Sequence, residues 1–164
     1  MALNSTYLPD GFGETTGDAL VTTSPWYTSG TAYYVSSVDG DDTNAGTERL
    51  QPMATVGVAL AAASSGDFVI LAADHDETVT STVSVGAGIT IVGAGSSSGL
   101  PTAKMTMNAS SGALFEIAAE DVSIINVLFP THAQANVSPK VQIGTESSAD
   151  RGFVKGCRFE LTAT

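Results

Sequence analysis

The chain has 164 residues and a net charge of −11, with 17 acidic and six basic side chains, a length that suits one domain with an appended arm. A field of that sign repels polyphosphate, which argues against nucleic acid as a partner, and no apolar run is long enough to span a bilayer. Cys157 is the only cysteine, so no disulfide can form within the chain, and it reads as a small buried residue.

Residues 1–30 stand apart. They contain Pro9, Pro25 and several Gly and Thr, and show neither a helical nor a strand period. Their large residues, Tyr7, Leu8, Phe12, Trp26 and Tyr27, are too aromatic for a plain linker, and aromatics with polar tips suit interfaces. The segment is expected to be an extended arm that docks on another surface. Its opening, MALNSTYLPDGFGETTGD, has neither the basic nor the apolar region of a secretory signal, so the chain is expected to be made and kept in a cytoplasm.

AYYVS (Ala32–Ser36) reads as a strand. The loop VDGDDTNAGT follows, then PMATVGVALAAA (Pro52–Ala63), the best helix in the sequence. Pro52 suits a first helical turn. Val56, Leu60 and Ala63 fall on one side, and Gly66 is a stop signal.

Beyond Gly66 the pattern changes to short β-branched runs. They are DFVILAA (67–73), ETVTSTVSV (77–85), GITIVG (88–93), AKMTM (103–107), ALFEI (113–117), DVSIINVLF (121–129), KVQI (140–143) and GFVKGCRFE (152–160). No Asn-Gly or Asp-Gly pair joins two of them into a tight hairpin. Phe68 to Ile89 is a step of 21, Ile89 to Phe115's neighbour Leu114 is 25, and Val122 to Phe153 is 31. A degenerate, strand-rich repeat of this length suggests the coils of a parallel solenoid. A β-sandwich is the structural competitor, because evenly spaced short strands also describe it.

The order from Tyr33 to Gly95 is an aromatic strand, an Asp/Gly/Asn/Thr loop, a short helix, then Gly-Asp and an apolar strand leading to ITIVGAG. That order resembles the start of the right-handed parallel β-helix of the pectate-lyase-like superfamily. The resemblance implies an all-β domain over residues 31–164, a short β-helix whose helix, at about 52–63, caps the open end of its core. It also looks similar to bacteriophage virion proteins, among them tailspikes and capsid-decoration proteins, which often place a particle-binding segment before a trimeric β-helix.

Three clusters bear on chemistry. Asp39, Asp41 and Asp42 offer hard oxygen ligands, but EF-hand spacing is absent; they are weak calcium candidates, and turn-forming acids are the plainer reading. ADHDETV places His75 between acids, yet His132 is the only other histidine and brings no partner motif. The expectation is a solvated corner with an exposed imidazole. Glycoside hydrolysis needs two carboxylates across a groove, whereas the strand runs offer Glu116 and Asn126 as their polar exceptions. Lys155 and Arg158 are expected to face solvent or a neighbouring subunit. Phe68, Phe115, Phe129, Phe153 and Phe159 occupy apolar runs and read as core. GAGITIVGAGSSSG follows neither dinucleotide nor P-loop spacing.

The expected function is therefore non-enzymatic and cofactor-free. The resemblance to bacteriophage virion proteins implies a structural protein that decorates the capsid's outer surface as a homotrimer. Its arm would bind the major capsid protein or another virion protein. The alternatives are a tail spike or tail adaptor component, or a polysaccharide-binding or polysaccharide-degrading module.

Overall fold

A computed structural model describes residues 30–108, 115–130, 143–145 and 150–160. The chain is predominantly β, with one short helix among the described residues. In chain order the elements are β1 (Ala32–Val35), α1 (Val56–Ala62), β2 (Phe68–Leu71), β3 (Asp76–Val79), β4 (Val83–Val85), β5 (Thr90–Gly93), β6 (Ser96–Ser97), β7 (Leu100–Pro101), β8 (Lys104–Met107), β9 (Phe115–Ile117), β10 (Ser123–Ile125), β11 (Leu128–Phe129), β12 (Ile143–Thr145), β13 (Phe153–Lys155) and β14 (Arg158–Phe159).

Three sheets are wholly parallel. The first runs β1-β2-β5-β10-β13, the second β3-β8-β11-β14 and the third β4-β9-β12. The chain visits them in rotation: β2, β3, β4; then β5, β8, β9; then β10, β11, β12; then β13 and β14. The small β6–β7 pair is antiparallel and interrupts one corner.

The corners explain why short runs suffice. Two residues before each of β2, β5, β10 and β13 stands a residue with positive φ: Gly66 at 93°, Gly88 at 70°, Asp121 at 59° and Arg151 at 56°. A left-handed residue swings the chain sharply into the next strand, at least cost for glycine and at a tolerable one for Asp. Backbone bonds then stack corner on corner, from Gly66 N–H to Gly88 O, Gly88 N–H to Glu120 O and Asp121 N–H to Asp150 O.

Alternation does the rest. In the first sheet Val69, Ile91 and Ile124 lie in one register row, all fully buried and facing inward. Burial of such side chains contributes roughly 1.5–3 kcal/mol each. Phe129 of the second sheet stacks on Phe159, with ring centroids 5.0 Å apart and planes 4° apart. Phe115 of the third sheet lies 6.2 Å from Phe129, tilted.

The structure departs from the sequence reading at several points. The helix begins at Val56, not Pro52. Met53 instead bridges to Val35 in parallel, donating to Tyr34 O and accepting from Ser36 N–H. The free edge of β1 thereby takes up the peptide groups that a longer helix would have needed. ETVTSTVSV divides into β3 and β4, on different sheets. ITIV and LFEI are not successive turns of one sheet: β5 belongs to the first and β9 to the third, and the strand next to β5 is β10, with Thr90 opposite Ser123. Asn126 is a corner residue at φ 57°, not a strand residue. His75 is fully buried rather than solvated. Phe115 and Phe129 are core, but Phe153 and Phe159 are exposed, and Phe68 is half-buried outside the main core.

Candidate interaction surfaces

The stack has two unlike ends. At the first, the loop from Ser36 to Met53 and α1 close the core. Asp42 accepts from Ala54 N–H and Thr55 N–H, both at 2.9 Å, through one carboxylate oxygen, and its other oxygen meets the Thr55 hydroxyl at 3.1 Å. These bonds satisfy backbone donors just ahead of the helix. Val56, Ala59 and Leu60 then face the core. Asp41 accepts from Thr43 N–H at 2.8 Å and from its hydroxyl at 2.7 Å. These two bonds, the backbone one first, hold the Asp41 carboxyl below its ordinary range. Asp39 contributes its N–H to Ser36 Oγ. Two of the three calcium candidates thus hold the loop in shape. Among the described residues no group of three or more His, Cys, Asp or Glu is placed to hold a metal ion.

Beneath this loop two polar side chains point inward. The row one residue before the second sheet is His75, Ala103, Val127 and Cys157, joined by Lys104 N–H to His75 O, Leu128 N–H to Ala103 O and Arg158 N–H to Val127 O. Ala103 and Val127 are core, so His75 is forced inward by register. Glu77, two residues on, faces the same way opposite Met105. Both sit at the capped end, where backbone donors are available. His75 Nδ1 accepts from Ser37 N–H at 3.1 Å. That fixes the ring proton on Nε2, which lies 3.2 Å from Glu77 Oε2. The same carboxylate oxygen accepts from Val56 N–H at 2.9 Å, at the start of α1. The group is satisfied internally and ties the loop, the first coil and the helix together. Sequence reasoning missed it because its acidic neighbours suggested solvent. The alternation His75-x-Glu77-x-Val79, ending in a buried valine, was the available signal.

At the other end lie β13 and β14. Phe153 is 50% exposed, Val154 45% and Phe159 39%. Arg151, Lys155 and Arg158, half of the chain's six basic residues, lie among them. Arg151 pins the coil in place through Asp121, at 2.7 and 2.8 Å, and Glu120, at 2.7 Å. That contact holds the Asp121 carboxyl below its ordinary range. Arg158 pairs with Glu160 at 3.2 Å. Cys157 faces inward with its thiol toward Ile124 O at 3.6 Å, and burial pushes the thiol's pKa up.

Neither a scan against protein-family models nor a search of curated proteins finds a match for this chain.

Glu116 stands in register between Ser84 and Gly144, so its strand neighbours bring no second carboxylate, and Ser84 Oγ donates to it at 3.4 Å. Among the described residues no helix is long and apolar enough to cross a membrane. Lys155 and Arg158 are exposed, as the sequence suggested. Tyr7, Leu8, Phe12, Trp26 and Tyr27 lie outside the described residues.

Proposed function

We propose that the chain is a short right-handed parallel β-helix that acts by binding, as a structural protein on the outer surface of a bacteriophage capsid. The rotation of the chain through three parallel sheets supports the β-helix, and right-handed crossovers are the overwhelming rule for parallel strands. One observation carries the functional reading. The stack closes one end with its own helix, and the β13–β14 coil at the other leaves Phe153, Val154 and Phe159 each exposed. Exposed apolar side chains on an edge coil are a liability unless a partner buries them.

A homotrimer would bury that end, and threefold positions on a shell would match the trimer. The arm, through Tyr7, Leu8, Phe12, Trp26 and Tyr27, would supply the contact to the major capsid protein, and many copies would add avidity. Whatever binds the assembled shell stabilises it by linkage. No catalytic step is required.

The test is direct. Purified protein is mixed with empty shells and occupancy at the symmetry axes is read by electron microscopy. Removing residues 1–29 should abolish occupancy while the domain stays folded. Full binding by the truncated chain refutes the arm's role, and release of reducing sugar from a polysaccharide panel refutes the non-enzymatic reading.

A further inference from the structure

Among the described residues the second sheet ends at β14, which pairs with β11 on one side only. The backbone shows which groups are left over. Arg158 N–H donates to Val127 O and Glu160 N–H donates to Phe129 O, both back toward β11. In a strand the N–H and C=O of one residue point to the same side, and successive residues alternate. Phe159 therefore turns its N–H and C=O to the open edge, where no described strand meets them.

The side chain of Phe159 is equally one-sided. Its ring lies in the inward row with Met105 and Phe129. It stacks on Phe129, with centroids 5.0 Å apart and planes 4° apart, yet it remains 39% exposed. One ring face is covered, and the exposure falls on the side away from β11.

The flanking charges complete the pattern. Arg158 and Glu160 stand on the opposite, outer side of the strand and pair with each other at 3.2 Å. Along the strand the edge therefore runs basic, aromatic, acidic. An antiparallel neighbour with the same order sets base against acid and ring against ring. A two-fold contact between identical chains requires that self-complementarity. The hydrogen bonding agrees with it. In an antiparallel pair, two opposed residues exchange both N–H···O bonds, and on this edge the residue with both groups free is Phe159. A parallel neighbour in register would instead set Arg158 on Arg158 and Glu160 on Glu160, and like charges directly opposite are destabilising.

We infer that in the free protein β14 pairs antiparallel with β14 of a second copy, about a two-fold axis at Phe159. The two Phe159 residues exchange backbone bonds, and their rings continue the Phe129–Phe159 stack across the axis. Arg158 of each copy faces Glu160 of the other. The occupant of the open edge is thus the same strand, reversed. A contact this small is readily exchanged for a larger one on a shell. The inference goes beyond the capsid reading, because it states what covers this end before any shell is present. Its failure leaves that reading standing.

Sedimentation of the full chain over a range of concentrations tests the pair. The parent is expected to reach twice the mass of one chain as concentration rises. Arg158→Glu sets acid against acid across the axis, and Glu160→Arg sets base against base. Each should sediment as a monomer at concentrations where the parent is dimeric, with far-UV circular dichroism unchanged. The two variants move the net charge in opposite directions, so bulk charge cannot explain a shared loss. The double variant Arg158→Glu/Glu160→Arg restores the complementary order and should regain the dimer. An equimolar mixture of the two single variants should also dimerise, since acids of one then face bases of the other. A parent that stays monomeric at every concentration overturns the inference. So do single variants that dimerise like the parent, or a folded double variant and a mixture that both remain monomeric. A free parent with three times the chain's mass overturns the pair and leaves the assembly reading intact.

Discussion

At the scale of single residues, the corners carry more of the fold than their polarity suggests. Asn126 combines φ 57° with two bonds from its side-chain amide, to Gly93 O at 2.7 Å and Gly95 O at 2.9 Å. It stitches one coil to the coil before it. Asn126→Ala should cost about 2–4 kcal/mol, from lost bonds and from a positive φ that alanine resists. Asn126→Gly should cost less, since glycine keeps the φ and loses only the bonds. Urea unfolding of the two variants checks the order. Arg151 gives a pH signature. Its guanidinium lowers the Asp121 pKa in the folded state, so the stabilisation is present above the unfolded value of about 3.9 and is lost as pH falls through the lower folded one. Arg151→Gln should flatten the stability profile in that acid window and change little of its shape above pH 5. Denaturant midpoints between pH 2 and 6 in both proteins test this.

At the scale of elements, the capping helix is short and Ala-rich, so it depends on what holds its start. Asp42→Ala leaves Ala54 and Thr55 N–H groups without that carboxylate and should destabilise by about 1–3 kcal/mol. The same bonds occupy Asp42, so adding a chelator should leave the melting temperature unchanged. A drop on chelation would mean that the loop holds an ion. Most of the strands, the helix and the turn-forming acids were legible in the sequence because each rests on local pattern: β-branched runs, a three-to-four spacing, Asp and Asn beside Gly; β6 and β7, made of Ser, Leu and Pro, carry no such pattern. Sheet membership was not legible. Alternation tells inward from outward but not which of three sheets receives a strand. The β6–β7 excursion and the chain between β11 and β12 break the period that would have told. His75 shows the same limit. Its surroundings in sequence are acidic, while its place is set by a register with Ala103 and Val127 that only the stack creates.

At the scale of the whole molecule, the asymmetry of the two ends is the feature to test. Replacing Phe153 and Phe159 together with serine should leave the coils stacked, because both rings are partly exposed already. Under the assembly reading, the variant should sediment as a monomer where the parent associates. Equal sedimentation of the two would remove that end from the interface. The matching corners have a further consequence. Asp121 and Arg151 turn the chain in the same way and deliver β10 and β13 to the same sheet in register. One step of the stack is thus bounded by matching turns. A duplicated copy would enter and leave at compatible turns, without rebuilding the helix-closed end. Each copy would advance the far face by about 4.8 Å, one strand spacing. The protein's reach is in that sense a ruler, graduated in coils and adjustable by copying.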